Sequence, residues 1–317
     1  MAARAGRQMR LRFKLNHLYQ GQNAPFLHAV DAGLFRQAGL EVEFVEGFSS
    51  SQVSRALLAG DAEIGFGDMT NVLEGAIRSG EAPIRALMPI YVRSPCSLGY
   101  HRRAVPLALE DIDGAVLCGP DGDTSARLLP LLLARNGLGD VRYGFRVVAP
   151  AERDRMVAAR EVLAATCFDA TLKFAMRMRG HDSSDIEFLY FADHGLDVYS
   201  SALLCLSSVL EARPDLATTL SRVVRTAWQA CAADPDLGVR AVIARAPALD
   251  PGIVREQLEW VLANQVFCPT QAPFRFLRDD RRWHDTLHVA QFGATGSWEL
   301  GPETAGLADS ILRPAFH

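Results

Sequence analysis

The sequence predicts an α/β protein built as two doubly wound lobes joined by a two-strand hinge. Three observations carry that expectation. Strand and helix periodicities alternate through the first 90 residues, the alternation restarts over residues 97–192, and the remainder is helical to about Phe292. The chain has 317 residues, 49% of them hydrophobic, which is enough for two cores at roughly 100–200 residues per domain.

In chain order, residues 11–16 alternate apolar and polar side chains as a strand does. Residues 25–38 place Phe26, Ala29, Val30, Leu34 and Phe35 on helical spacing, and Gly39 follows where a left-handed stop is wanted. Residues 40–45 alternate again. Ser49, with Gln52 three residues on, is a capping-box signature ahead of a helix carrying Val53, Ala56 and Leu57. Residues 62–66 make a short strand, 70–78 a helix ended by Gly80, and 84–92 a buried strand. In the second unit, residues 115–118, 145–148, 162–166 and 187–191 read as strands, with helices over 124–135 and 169–179. Repeated units of this kind predict parallel sheets covered by helices on both faces. Residues 202–206 form one more apolar strand, and helices cover 214–232, 236–246 and 251–263, each with Pro or Asp near its start.

The first unit alone is small and leaves its sheet poorly covered, so the helical tail is expected to complete it. Lobe 1 is therefore expected to comprise residues 1–95 plus 197–317, and lobe 2 residues 96–196. The crossings fall near residues 91–100 and 190–199.

Composition narrows the function classes. A formal net charge of -4 and 22% charged residues suit neither a disordered chain nor a polyanion binder, so no nucleic-acid partner is expected. The longest apolar runs, such as residues 202–206, fall far short of a membrane span. Arg4, Arg7, Arg10 and Arg12 are not followed by an apolar stretch of leader length. The expectation is a chain whose leader has been removed, one read from a misplaced start, or one that stays in the cytoplasm. Cys96, Cys118, Cys167, Cys205, Cys231 and Cys268 are scattered, with no C-x-x-C pair to suggest zinc or redox chemistry. Most read as buried small hydrophobes, and free thiols lean toward a reducing compartment.

Ligands of open α/β sheets collect outside the carboxyl ends of the strands. Several loops fit that place. Ser49, Ser50 and Ser51 follow Gly47-Phe48 at a helix start, able to hold an anionic or carbonyl oxygen, or simply to cap the helix. Asp68 and Met69 follow Gly67, with a plain helix cap as the other reading of Asp68. Asp123, Thr124 and Ser125 close a glycine-bearing loop that matches neither the nucleotide fingerprint nor a P-loop, and that a surface turn with a cap also explains. Asp193, with His194 and Asp197, sits in the second crossover, where hinge packing competes with ligand contact. Asn23 could supply an amide and Phe26 a stacking face, although Phe26 also lies on its helix's apolar stripe. Tyr91 and Ser94 lie at the first crossover.

Cys167 and Phe168 complete the candidate set. A thiol nucleophile at Cys167, served by His17 or His28, is the weaker reading because the cysteine ends a predicted buried strand. His284 and His288 stand at i and i+4, a spacing able to share a metal. With no further ligand near them in sequence, they read as a surface pair on an amphipathic tail helix.

A family resemblance runs through these residues. The openings Gln22-Asn23-Ala24-Pro25-Phe26 and Asp31-Ala32-Gly33-Leu34-Phe35-x-x-Ala38-Gly39-Leu40-Glu41-Val42 resemble substrate-binding proteins of the nitrate/sulfonate/taurine and thiamine-pyrimidine-precursor type. So do Leu57-Leu58-Ala59-Gly60-Asp61-Ala62-Glu63-Ile64-Gly65-Phe66-Gly67-Asp68 and Ile90-Tyr91-x-x-Ser94-Pro95. Tyr190-Phe191-Ala192-Asp193-x-Gly195-Leu196-Asp197-x-Tyr199 is similar to the second crossover of the same family. The resemblance implies a type-II periplasmic-binding fold and a monomer in the periplasm. It also implies a small ligand passed to the permease of an ABC importer without catalysis or cofactor; the uncharged polar groups and aromatics around the candidate loops favour a small polar or heteroaromatic one, a thiamine pyrimidine precursor or an aromatic acid, over nitrate. The alternative within the same fold is a cytoplasmic pyrimidine-synthase-like enzyme. Such enzymes resemble a cysteine-clustered, iron-using relative, whereas Cys167 stands alone here. Relatives commonly show a Gly-x-x-Asp-Ala turn before an aromatic site residue, and residues 159–169 depart from it.

Overall fold

The computed structural model describes residues 8–266 and 280–312; Arg4, Arg7 and Cys268 lie outside the described residues. Strands β1 (Met9–Lys14), β2 (Leu40–Val45), β3 (Ile64–Asp68) and β4 (Ile84–Pro89) enter a first sheet. The chain then builds a second sheet from β5 (Cys96–His101), β6 (Val116–Gly119), β7 (Gly144–Val147), β8 (Ala164–Phe168) and β9 (Ile186–Tyr190), and returns to the first with β10 (Ser201–Leu206). The strand orders are β2-β1-β3-β10-β4 and β7-β6-β8-β5-β9.

Neither sheet is purely parallel, which corrects the expectation from the repeated βα units. β10 runs antiparallel to β3 and β4, and β5 antiparallel to β8 and β9. These are the strands that follow the two crossovers. A chain arriving from the other lobe enters at the carboxyl ends of the parallel strands, so its first strand must run back against them. Residues 96–101, read from sequence as crossover, are that strand in the second sheet. Its alternation is plain once placed: Cys96, Leu98 and Tyr100 enter the core while Gly99 faces Leu172.

Helices α1 (Ala24–Asp31), α2 (Leu34–Gln37), α3 (Ser50–Leu58) and α4 (Met69–Ser79) follow the first strands, and α5 (Thr124–Arg135), α6 (Pro150–Ala158) and α7 (Asp169–Met178) belong to the second unit. The tail forms α8 (Ser207–Ala212), α9 (Leu216–Ala233), α10 (Pro235–Ile243), α11 (Pro251–Val261), α12 (Asp280–Thr295) and α13 (Pro302–Leu312). On one face of the first sheet, Phe26 of α1 meets Phe13 at 5.0 Å, Phe66 at 5.0 Å and Trp228 of α9 at 5.8 Å between ring centroids. The opposite face is covered by Val53, Leu57, Leu73 and the tail residues Trp283 and Leu287.

The second sheet is covered by leucines of α5 on one face and by Met156, Val157, Leu172 and Met176 of α6 and α7 on the other. Helix α12 touches both units: Ala290 joins the core of the first and Val289 that of the second. Beside it, Arg127 of α5 pairs with buried Glu74 of α4 and donates to Thr70 Oγ1. Among the described residues, no helix is long and apolar enough to cross a membrane.

The loop after β1 is pressed onto α11. Gly21 donates its N–H to Gln257 Oε1 at 2.8 Å, and a Cβ there would meet the backbone of Val254 and Leu258. Backbone cannot swing aside as a side-chain end can, so Gly21→Ala is expected to lower stability by about 1–3 kcal/mol, as overpacking does. Urea unfolding of parent and variant measures it.

Candidate ligand-binding cleft

The parallel strands of both sheets end at one gap, and their following loops line it. From the first sheet come Asn16 and His17 after β1, and Phe48, Ser49 and Ser50 after β2. From the second come Asp123 and Thr124 after β6, Arg153 after β7, and Phe168 with Thr171 at the end of β8. The cavity between these loops measures about 50 Å³, room for a few water molecules with the lobes in this arrangement. Four helices, α3, α5, α6 and α7, begin at its walls, so their free N–H groups and positive dipole ends favour negative charge there.

Arg153 shares the second wall with the carboxyl of Asp123. Only 2% exposed, it donates from Nε at 2.9 Å and Nη2 at 2.7 Å to Asp154 Oδ1, while Asp154 Oδ2 takes Arg179 Nη1 at 2.7 Å. Across the gap, burial pushes His17 down to about 4, and the charge of Arg153 acts in the same direction. Three buried polar atoms of lining residues, Asn16 Oδ1, His17 Nδ1 and Thr124 Oγ1, have no hydrogen-bond partner among the described residues. Buried polar groups are normally satisfied, so these three atoms have hydrogen-bonding capacity to spare at the gap. Phe48, 59% exposed, and Phe168 add aromatic surface from opposite lobes.

Five sequence-predicted residues meet here: Ser49, Ser50, Asp123, Thr124 and Phe168. Ser49 does not act as a side-chain cap; its Oγ lies 3.1 Å from Ser51 Oγ, and Gln52 accepts from Phe48 N–H at 3.0 Å instead. Ser51 faces the other lobe at Gly122, where a Cβ would lie 2.5 Å from its Oγ. Asp123 does cap α5, accepting from Ala126 N–H at 2.8 Å, and burial raises its carboxyl above the usual range.

The remaining candidates stand elsewhere. Phe26 is wholly buried among Phe13, Phe66 and Trp228, the core reading of its stripe. Asn23 is buried and donates to Leu18 O at 3.0 Å. Asp68 is occupied by Thr70 and Asn71 N–H as the cap of α4 and by Ser200 Oγ at 3.0 Å, and Met69 packs in the core. Tyr91 is sealed against Phe66, and Ser94 accepts from Cys96 N–H at 3.4 Å. Ser125 donates to Cys167 O at 2.8 Å, and Cys167 lies in buried β8. Asp193 pairs with Arg93 at 3.0 Å on the surface.

Sequence reading missed Asn16, His17 as a wall residue, Arg153 and Thr171. The first pair follows β1 at its carboxyl end, the same rule that found the other loops. Arg153 sits in α6, a helix not assigned from the sequence, although Pro150 with Glu152 is a helix-start signal. Next to the cleft, Asp169 Oδ2 accepts from Tyr190 Oη at 3.0 Å and from Trp260 Nε1 of α11 at 2.9 Å, and Oδ1 accepts from Gln265 Nε2. Burial raises this carboxyl despite those donors, and they join α7 to the first lobe's helices.

The NMT1/THI5-like family model matches residues 20–237. No curated protein sequence matches the chain. The periplasmic aliphatic sulphonate binding protein SsuA from Escherichia coli is similar in structure, with a TM-score of 0.67 at 15% identity over 90% of this chain and 91% of that one. The Candida albicans CA3427 gene product, described as having the generic periplasmic binding protein structural fold, gives 0.67 at 15% identity over 98% and 97%. A Bordetella bronchiseptica protein gives 0.69 at 15% identity over 96% and 98%. At such identities the likeness speaks to fold, and the fold is the two-lobed periplasmic-binding one. With its family model matching well over half of the sequence, this chain belongs to the NMT1/THI5-like family.

Proposed function

We propose that this chain is a solute-binding receptor of an ABC import system, acting in the periplasm and making no covalent change to its ligand. Residues 1–95 with 197–317 form one moving lobe and residues 96–196 the other, and the ligand stabilises the closed form by touching both. The observation that carries this reading is the cleft itself: buried polar atoms without partners from both lobes meet across one gap, beside buried Arg153. The ligand is a small polar or heteroaromatic molecule with an acidic group. Its acid end lies at Arg153, Thr124 and the helix starts, its ring between Phe48 and Phe168. An aromatic acid fits best, and a thiamine pyrimidine precursor bearing an anion fits next. The Escherichia coli relative is an aliphatic sulphonate binding protein, which supports an acidic ligand.

The test is a thermal-shift and calorimetric panel of benzoate, benzenesulfonate, taurine, aminopyrimidines and their uncharged amides. At least one acid is expected to raise the melting temperature through binding to the folded state, and Arg153→Ala to remove the preference for acid over amide. Silence across the panel, with pyrimidine production on adding iron and pyridoxal phosphate, overturns the receptor in favour of an enzyme.

Two further outcomes follow from the wall chemistry. Folded His17 stays neutral to about 4, whereas an unfolded histidine takes up its proton near 6.5, so the unfolded state binds more protons between those values. Stability is therefore expected to fall as pH drops from about 6.5 toward 4, and His17→Gln to flatten that limb in urea titrations. Burial pushes the Cys167 thiol up to about 12, with Arg153 acting the other way. Iodoacetamide at pH 8 is expected to leave Cys167 unmodified in the folded protein and to alkylate it in urea, as peptide mass mapping shows.

A further inference from the structure

Helix α12 carries His284 and His288 one turn apart, with their Nε2 atoms 3.0 Å from each other and their ring centroids 4.2 Å apart. His288 Nδ1 lies 2.6 Å from the carbonyl oxygen of Trp298, in the segment that follows the helix. A carbonyl can only accept, so Nδ1 holds the proton and Nε2 of the neutral ring presents its lone pair toward His284. The Trp298 ring packs against Phe292 of α12, with centroids 4.7 Å apart. A histidine whose outer nitrogen donates to a backbone carbonyl is oriented as metal-ligating histidines are.

The separation fits one ion. Two nitrogens each about 2.0–2.1 Å from a shared metal lie roughly 2.9 Å apart at a right angle and roughly 3.4 Å apart at the tetrahedral angle. The observed 3.0 Å is near the right-angle value, the arrangement that suits tetragonal Cu²⁺ and Ni²⁺.

We propose that His284 and His288 form a two-histidine chelate for a divalent transition metal, Cu²⁺ or Ni²⁺ ahead of Zn²⁺, with water in the remaining positions. His284 is exposed, so an ion can reach the pair. The neighbouring Asp285 is engaged with Arg135 at 3.0 Å and does not join. Among the described residues no group of three His, Cys, Asp or Glu side chains could hold a metal, so the pair has no third such ligand among them. Neither histidine lines the ligand cleft, and the site stands whether or not the receptor reading does.

The experiment uses the tag-free full chain on immobilised Ni²⁺ and in calorimetric titration with NiCl₂. Retention and one saturable site per chain are expected. His284→Gln and His288→Gln are each expected to weaken binding about tenfold or more, while His101→Gln and His181→Gln behave as the parent. Melting temperatures in EDTA establish that all variants fold alike. A parent that passes unretained with no calorimetric signal overturns the proposal, leaving a plain imidazole–imidazole hydrogen bond. Binding that survives both α12 substitutions overturns it as well.

Discussion

Strand direction is the constraint on which everything else in this molecule rests. In each sheet the parallel strands run toward the other sheet, and the chain passes between sheets at that same edge. Two consequences follow without any dedicated motif. The first strand after each crossing, β5 or β10, must run backward, and every loop that leaves a parallel strand opens onto one shared gap. Helices begin in those loops, so N–H groups, hydroxyls and positive dipole ends collect there.

The gap is flanked by polar bridges that belong to neither lobe alone. Asp169 at the start of α7 gathers donors from Trp260 and Gln265. Arg127 of α5 reaches Glu74 and Thr70 of α4. Both acidic partners are buried, and a buried carboxylate stripped of its donors carries an uncompensated desolvation cost. Separating the lobes therefore has to rehydrate these groups. A ligand shifts the balance only by what it adds in the closed arrangement, and the unpartnered atoms of Asn16, His17 and Thr124 are where that addition is available.

Arg153 and His17 show how burial selects chemistry inside the cleft. The guanidinium cannot lose its proton and is held by Asp154, so it keeps its charge at the wall. The imidazole can lose its proton, and burial beside that charge keeps it neutral. One wall thus holds a cation paired to Asp154 beside the carboxyl of Asp123, and the other an uncharged ring nitrogen.

Much of the architecture was legible because local rules agreed with the tertiary result. The helix over Thr124–Arg135 has a capping Asp before it, a leucine-rich face and Gly137 just beyond. β10 was legible as a short apolar run, since it is buried on both faces. β5 escaped because Ser94-Pro95 reads as a crossing, and its alternation is shortened by Gly99. α6 escaped because its face toward the core is only Met156 and Val157 amid charged residues. Position relative to strand ends pointed to the loops of Ser49, Ser50, Asp123 and Thr124, which line the candidate cleft together with Phe168. Residue type misled at Phe26, Asp68 and Tyr91: aromatic and acidic groups near a cleft are as useful to a core or a helix cap.

By itself, the sequence determined the alternation of strands and helices, the division into two units and the loops at which a ligand could be met, because apolar periodicity and capping act over a few residues. Tertiary structure alone decided which side chains of those loops face the gap, that Arg153 is buried beside Asp154, and that α12 spans both units. Those outcomes depend on which surface a segment packs against, and the partners lie far away along the chain: Gly21 on Gln257, Arg127 on Glu74, Asp169 on Trp260.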